Sequence, residues 1–159
     1  MIDNAILRRG YRRCARLTWR YGTTYFWGAV LLPKPQRKHV HAVYALCRLA
    51  DDIVDLSDLR TELVDERLTA FEEAFRSALF ERRSDDPTMA AIVHTVITCG
   101  IEPECFERFF GAMRMDLTVM ERLMPPPRRR MTVPSNTWIR SRFPSTTRAD
   151  TFTMSPVAS

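Results

Sequence analysis

Two aspartates one helical turn apart, Asp51 and Asp55, close the segment Val40-His41-Ala42-Val43-Tyr44-Ala45-Leu46-Cys47-Arg48-Leu49-Ala50-Asp51-Asp52-Ile53-Val54-Asp55. At the helical pitch, Tyr44, Cys47 and Val54 share an apolar face; Asp51 projects from that face, and Asp55 and Arg48 lie beside it. Asp52, about 100° further round than Asp51, is expected to reach solvent. Like charges at i and i+4 on a helix cost about 0.2–0.5 kcal/mol, and burying an unpaired carboxylate costs far more. A hard divalent cation offsets both penalties. Mg²⁺ takes one or two carboxylates and completes its octahedron with water and phosphate oxygens. An arginine one turn away then grips a phosphate through its fork of donors. The pattern suits a metal-bridged diphosphate. The same spacing also satisfies a plainer arrangement, in which Asp51 pairs with Arg48 and Asp55 ends the helix in water.

The elements that must position these residues are helical. From Asn4 to about Met124 the chain reads as successive helices with prolines at the joints. Pro33 and Pro35 separate the aromatic segment Thr23–Leu32 from a helix over about Gln36–Asp55, because proline is tolerated in a first turn but not in a helix interior. Leu63, Leu68, Phe71, Phe75 and Leu79 repeat at helical spacing and predict a helix over about Arg60–Arg82. Ser84-Asp85-Asp86-Pro87 reads as a turn and helix start leading into Met89–Thr98. A break at Cys99-Gly100-Ile101-Glu102-Pro103 precedes a last helix, Glu104–Leu123, in which Phe106, Phe109, Phe110, Met113, Leu117 and Met120 form one core-facing stripe. The expectation is an all-α fold.

Three further pieces of sequence flank the aspartate helix. Thr23-Thr24-Tyr25-Phe26-Trp27, Leu31-Leu32-Pro33 and the run from Tyr44 to Asp55 occur in that order and spacing. Together they resemble the squalene and phytoene synthases, in which an aromatic segment, a Leu-Leu-Pro turn and a Tyr-Ala-x-Cys-Arg-x-Ala-Asp-Asp-x-x-Asp helix follow one another. Met113-Arg114-Met115-Asp116-Leu117 is similar to a Met-x-x-Asp-Leu stretch on a later helix of the bacterial phytoene synthases. Thr24 stands where the family usually has serine. The resemblance covers about residues 4–123.

That resemblance implies an isoprenoid-synthase helical bundle that joins two allylic diphosphates head to head. Asp51 and Asp55 would hold Mg²⁺, with Mn²⁺ as a substitute. Tyr44 and Arg48 would contact the diphosphate, Thr24, Asp52 and Asp116 would lie on the substrate side, and Tyr25 and Phe26 would line a prenyl channel. Asp116 equally fits the edge of a packing stripe. The implied substrate is a prenyl diphosphate. Geranylgeranyl diphosphate, giving phytoene, is the first choice, and a squalene or dehydrosqualene synthase is the runner-up. The family's second aspartate-rich motif has no match here. The domain is thus expected to be incomplete over 1–123, open where further helices would pack, and inactive by itself.

After Leu123 the composition changes. Residues 124–159 hold six of the chain's ten prolines, six arginines, many Ser and Thr, and Asp150 as their single acid. Such a segment buries too little apolar surface to offset its ordering entropy, so disorder is expected. An abrupt change of this kind is what a frameshift or fusion produces. The net charge of +5 belongs to this tail, since residues 1–123 are electrically balanced. A nucleic-acid-binding body is therefore excluded as an expectation. A non-catalytic helical fragment whose basic tail binds anionic lipid or nucleic acid is the competing class.

No apolar run approaches the ~20 residues of a membrane span. Cys14, Cys47, Cys99 and Cys105 lie at no metal-type spacing and follow no secretory signal, so they read as reduced, mostly buried thiols of a cytoplasmic protein, with peripheral membrane association allowed. Arginines 8, 9, 12, 13, 16 and 20 also give the start of the chain the look of a transit peptide, against which stands the need for a helix before Thr24. His39, His41 and His94 suggest no site. Trp19 and Trp27 read as core. Oligomeric state is not legible.

Overall fold

The computed structural model describes the backbone of residues 4–55 and 61–123, and the side chains of 4–55 and 62–117. These residues form six helices and no strand: α1 (Asn4–Tyr21), α2 (Thr23–Val30), α3 (Lys34–Val54), α4 (Thr61–Glu81), α5 (Pro87–Cys99) and α6 (Pro103–Leu123). The expected all-α fold and its joints are therefore present. The expected disorder of 124–159 and the junction after Leu123 lie outside the described residues.

Local chemistry sets the joints. Pro35 lies inside the first turn of α3, where its missing N–H needs no partner. Asp86 caps α5: its carboxylate accepts from the Met89 amide at 2.9 Å, with Pro87 opening the helix. Gly100 ends α5 in the left-handed conformation, φ 62°, which glycine adopts without a Cβ penalty. Two residues, Gly22 and Pro33, precede α2 and α3 without side-chain caps.

α3 is the central helix and packs against each of the other five. Small residues make this possible: Ala42, Ala45 and Ala50 are fully buried and let neighbours approach, while Leu46, Leu49 and Ile53 fill the space between. Phe71 and Phe75 from α4 meet Phe110 and Phe106 from α6, the closest pair being Phe75 and Phe106 at 4.8 Å between centroids. α1 lies against α5 and α3. There Gly10 touches the α5 backbone so closely that a Cβ at this position would fall 1.9 Å from the Pro87 carbonyl oxygen. A polar tie joins α6 to α4, where Arg114 donates to Glu72 at 2.6 Å and to Thr69 at 3.2 Å.

Two expectations about burial need correction. Cys14 is buried and its thiol is pushed up to about 12 by desolvation, then by Asp86; Cys99 and Cys105, however, are exposed, because each lies on the outer side of a helix end. Trp19 and Trp27 are not core either, at 54% and 58% exposed. They meet each other and Phe26 edge to face, and among the described residues no helix covers the outer side of α1 and α2.

Candidate functional site

The last two turns of α3 collect the residues that the spacing singled out. α3 ends at Val54, with Asp55 as its C-cap, whose amide donates to the Asp51 carbonyl at 2.8 Å. Asp51, Asp52 and Asp55 thus crowd one helix end that has no basic residue in its last turn. Burial pushes the Asp51 carboxyl above the usual carboxylate range. Arg48 opposes that shift, while Asp55, Asp52 and Asp116 reinforce it. The participation of Asp116 places α6 beside the α3 carboxylates, although its own side chain is exposed.

Arg48 donates to Asp52 in a short i,i+4 pair. It pairs there and not with Asp51, so that half of the plainer arrangement does not form, whereas Asp55 does end the helix as an exposed C-cap. Asp52 does not reach solvent as the wheel suggests: its side chain is 11% exposed, drawn down by the guanidinium one turn earlier. The Arg48 guanidinium also lies over the Tyr21 ring, 4.8 Å from its centroid, and its Nε is buried without a partner among the described residues. A buried donor left open in this way is costly unless an acceptor arrives.

Tyr44 sits one turn before Arg48. Desolvation raises its hydroxyl, Arg48 lowers it, and Asp51, Tyr25 and Asp52 raise it, so the phenol stays protonated as a donor at neutral pH. Tyr25 comes to it from α2, with ring centroids 5.3 Å apart. Gly22 makes this meeting possible, because a Cβ there would lie 2.4 Å from the Tyr44 ring. Sequence reasoning passed over Gly22 and Tyr21; the only signal for either was its place immediately before the aromatic segment.

The other expected residues divide. Thr24 is exposed on α2, and Tyr25 is 64% exposed. Phe26 stacks on His41, with ring centroids 5.3 Å apart. His41 is buried beneath it. His39 and His94, which suggested no site, lie face to face with ring centroids 6.3 Å apart on a different surface, next to Tyr11.

The donor set at the end of α3 fits a hard divalent ion. It offers two carboxylates a turn apart, one of them desolvated and repelled by its neighbours, where Mg²⁺ needs one or two protein carboxylates and otherwise takes water and phosphate. It does not form a closed cage, since the described residues contain no cluster of three or more metal-type ligands. No helix among the described residues is long and apolar enough to cross a membrane.

Comparison with known proteins gives a consistent family. The sequence model of squalene/phytoene synthase matches residues 18–138. Among curated proteins, the chloroplastic phytoene synthase of Daucus carota is 30% identical over 112 residues, covering 70% of this chain and 28% of the carrot protein. The 15-cis-phytoene synthase of Synechococcus elongatus is 29% identical over 113 residues, covering 71% and 36%. That of Synechocystis sp. is 28% identical over 113 residues, covering 71% and 33%. The chain spans about a third of the length of these relatives.

Proposed function

Because the chain belongs to the squalene/phytoene synthase family, we propose that it carries the first diphosphate-binding wall of a phytoene synthase-type prenyltransferase. The reaction is the head-to-head condensation of two geranylgeranyl diphosphates to phytoene, with loss of both diphosphates, as a step of carotenoid synthesis. The observation that carries the reading is the charge imbalance at the end of α3, where Asp51 is desolvated among Asp52, Asp55 and Asp116. The names of the relatives favour phytoene over squalene as product.

In this reading Asp51 and Asp55 hold Mg²⁺, or Mn²⁺ in its place. The ion supplies charge neutralisation of the leaving diphosphate. Arg48 offers the diphosphate its open Nε–H while its Nη2 stays anchored on Asp52. Tyr44 donates from its protonated hydroxyl, and Tyr25 gives an apolar wall to the first isoprene units. Thr24 and Asp116 flank this wall from α2 and α6. The exposed apolar surface of Trp19, Tyr25, Trp27 and Leu31 suits a prenyl chain or the membrane that delivers it. Ionisation needs charge stabilisation from more than one side of the substrate. This chain by itself is therefore inactive, and a chain extended to the length of its relatives is active.

The test incubates the 159-residue chain and a chain extended in the alternative downstream frame with geranylgeranyl diphosphate and Mg²⁺, and assays phytoene and released diphosphate. Product from the extended chain only, abolished by Asp51→Asn, is the expected result. Robust product from the 159-residue chain overturns the inactivity, and a soluble extended chain without product overturns the assignment.

A further inference from the structure

A second polar cluster lies at the junction of α1, α3 and α5, built from residues that the α3 carboxylate site does not use. The Tyr11 hydroxyl is 2.8 Å from His94 Nδ1, 3.0 Å from Thr95 Oγ1 and 3.4 Å from His39 Nδ1. His39 Nδ1 is in turn 3.0 Å from Thr95 Oγ1. Both imidazole rings meet the Tyr11 ring edge-on. This network fixes Tyr11 and His94 in one wall of an open cavity of about 650 Å³, whose rim carries Arg8, Arg12 and Lys38.

Among the described residues the rim cations lack acid partners. Arg48, Arg76, Arg83 and Arg114 each have a carboxylate partner, and Arg13, next in sequence to Arg12, pairs with Asp86 at 3.9 Å. Among the described residues Arg8, Arg12 and Lys38 have none within ion-pair distance. Arg8 and Arg12 stand one turn apart on α1, where like charges repel, with Arg12 Nε donating to the Arg8 carbonyl at 3.3 Å. Lys38 reaches in from α3, with Nζ 5.2 Å from the Tyr11 ring centroid. We infer that this cavity is a binding site for a phosphate-bearing anion, held by Arg8, Arg12 and Lys38 against the Tyr11–His94 wall.

The chemistry selects an anion over a metal ion. His39 and His94 supply two nitrogens of the sort that bind transition metals, but His94 shares the cavity with three cations, and among the described residues none of these has a carboxylate within ion-pair distance to balance a further positive charge. Burial and then Lys38 hold both imidazoles below their usual titration range, so they stay neutral and hydrogen-bonding at neutral pH. Arginine forks and a lysine ammonium suit phosphate oxygens in both geometry and charge. The volume exceeds that of inorganic phosphate and leaves room for the organic part of an ester. The site needs no divalent ion, which sets it apart from the one at the end of α3.

The experiment titrates the full 159-residue chain with inorganic pyrophosphate and with phenyl phosphate in the presence of a chelator, following the His39 and His94 imidazole resonances. Saturable shifts are expected, unchanged in Asp51→Asn. They should weaken about tenfold or more in the double variant Arg8→Glu, Lys38→Glu, the scale of losing charged hydrogen bonds. These residues are exposed, and circular dichroism checks the fold. Arg12→Gln gives a milder second variant with the same direction of effect. A parallel arm uses phosphatidylcholine vesicles with and without phosphatidate. Binding of the free probes identifies a soluble phosphate, and binding only to phosphatidate vesicles identifies a lipid headgroup. Either supports the site if the charge variants abolish it. Failure of both arms, binding that survives the charge variants, or binding lost in Asp51→Asn overturns it.

Discussion

Asp51 is held at a cost. Its carboxyl is desolvated and faces three like charges, so its folded-state affinity for a proton exceeds that in the unfolded chain. A group of this kind favours the folded state in acid and loses that contribution as pH rises through its raised folded value. Asp51→Asn should therefore melt at a higher temperature than the parent at neutral pH without metal. The gap should shrink as the pH is lowered into the carboxylate range, and thermal denaturation across that range measures it. Adding Mg²⁺ should stabilise the parent and leave the variant unchanged. Gly22 is the opposite case, a residue whose importance lies in what it lacks. Gly22→Ala drives a methyl into the Tyr44 ring and should cost about 1–3 kcal/mol in urea denaturation, with the Tyr44 ring resonances displaced. The i,i+4 spacing made Asp51, Asp55, Arg48 and Tyr44 legible in the sequence, since they share one helix. The contacts of Gly22 and Tyr21 join different helices, and no periodicity encodes them. Asp52 was misplaced because a wheel assigns angles but not the pull of a neighbouring guanidinium.

At the level of helices, the boundaries were the most legible part of the structure, and chemistry explains why. Proline and glycine fall at joints, and the Asp86-Pro87 pair that opens α5 is a capping signal readable in one dimension. Asp86 is buried and its carboxylate is committed to the Met89 amide. Asp86→Ala should cost about 0.5–2 kcal/mol in equilibrium unfolding, and Asp86→Asn should keep most of that stability. The end of α3 has no such matched cap. Its dipole places partial negative charge where Asp51, Asp52 and Asp55 already stand, so a bound cation relieves both the side chains and the helix end. Amide exchange at Asp55, whose N–H reaches the Asp51 carbonyl, should slow when Mg²⁺ is added, and equal exchange with and without the ion would count against the metal role.

Across the described residues, the other five helices close around α3, while the outer side of α1 and α2 stays open, with Leu31 at 87% exposed. Sequence patterning placed Trp19 and Trp27 inside because aromatic residues in a helical protein are ordinarily buried; the pattern does not reveal that the covering helix is absent among the described residues. The histidine cluster was hidden for a related reason, since His39 and His94 meet only when α3 and α5 dock. The contact between Gly10 and Pro87 also bears on the order of assembly. Gly10→Ala forces a methyl against a backbone carbonyl that has little freedom to move, and should cost at least about 1–3 kcal/mol in chemical denaturation. That carbonyl belongs to the first turn of α5, which Asp86 organises. On a ribosome, which adds about 5–20 residues each second, α1 is complete several seconds before Pro87 has been joined to the chain. Through that interval α1 can already seat on α2 and α3, and the Gly10 contact with α5 is the last of its helix contacts to close.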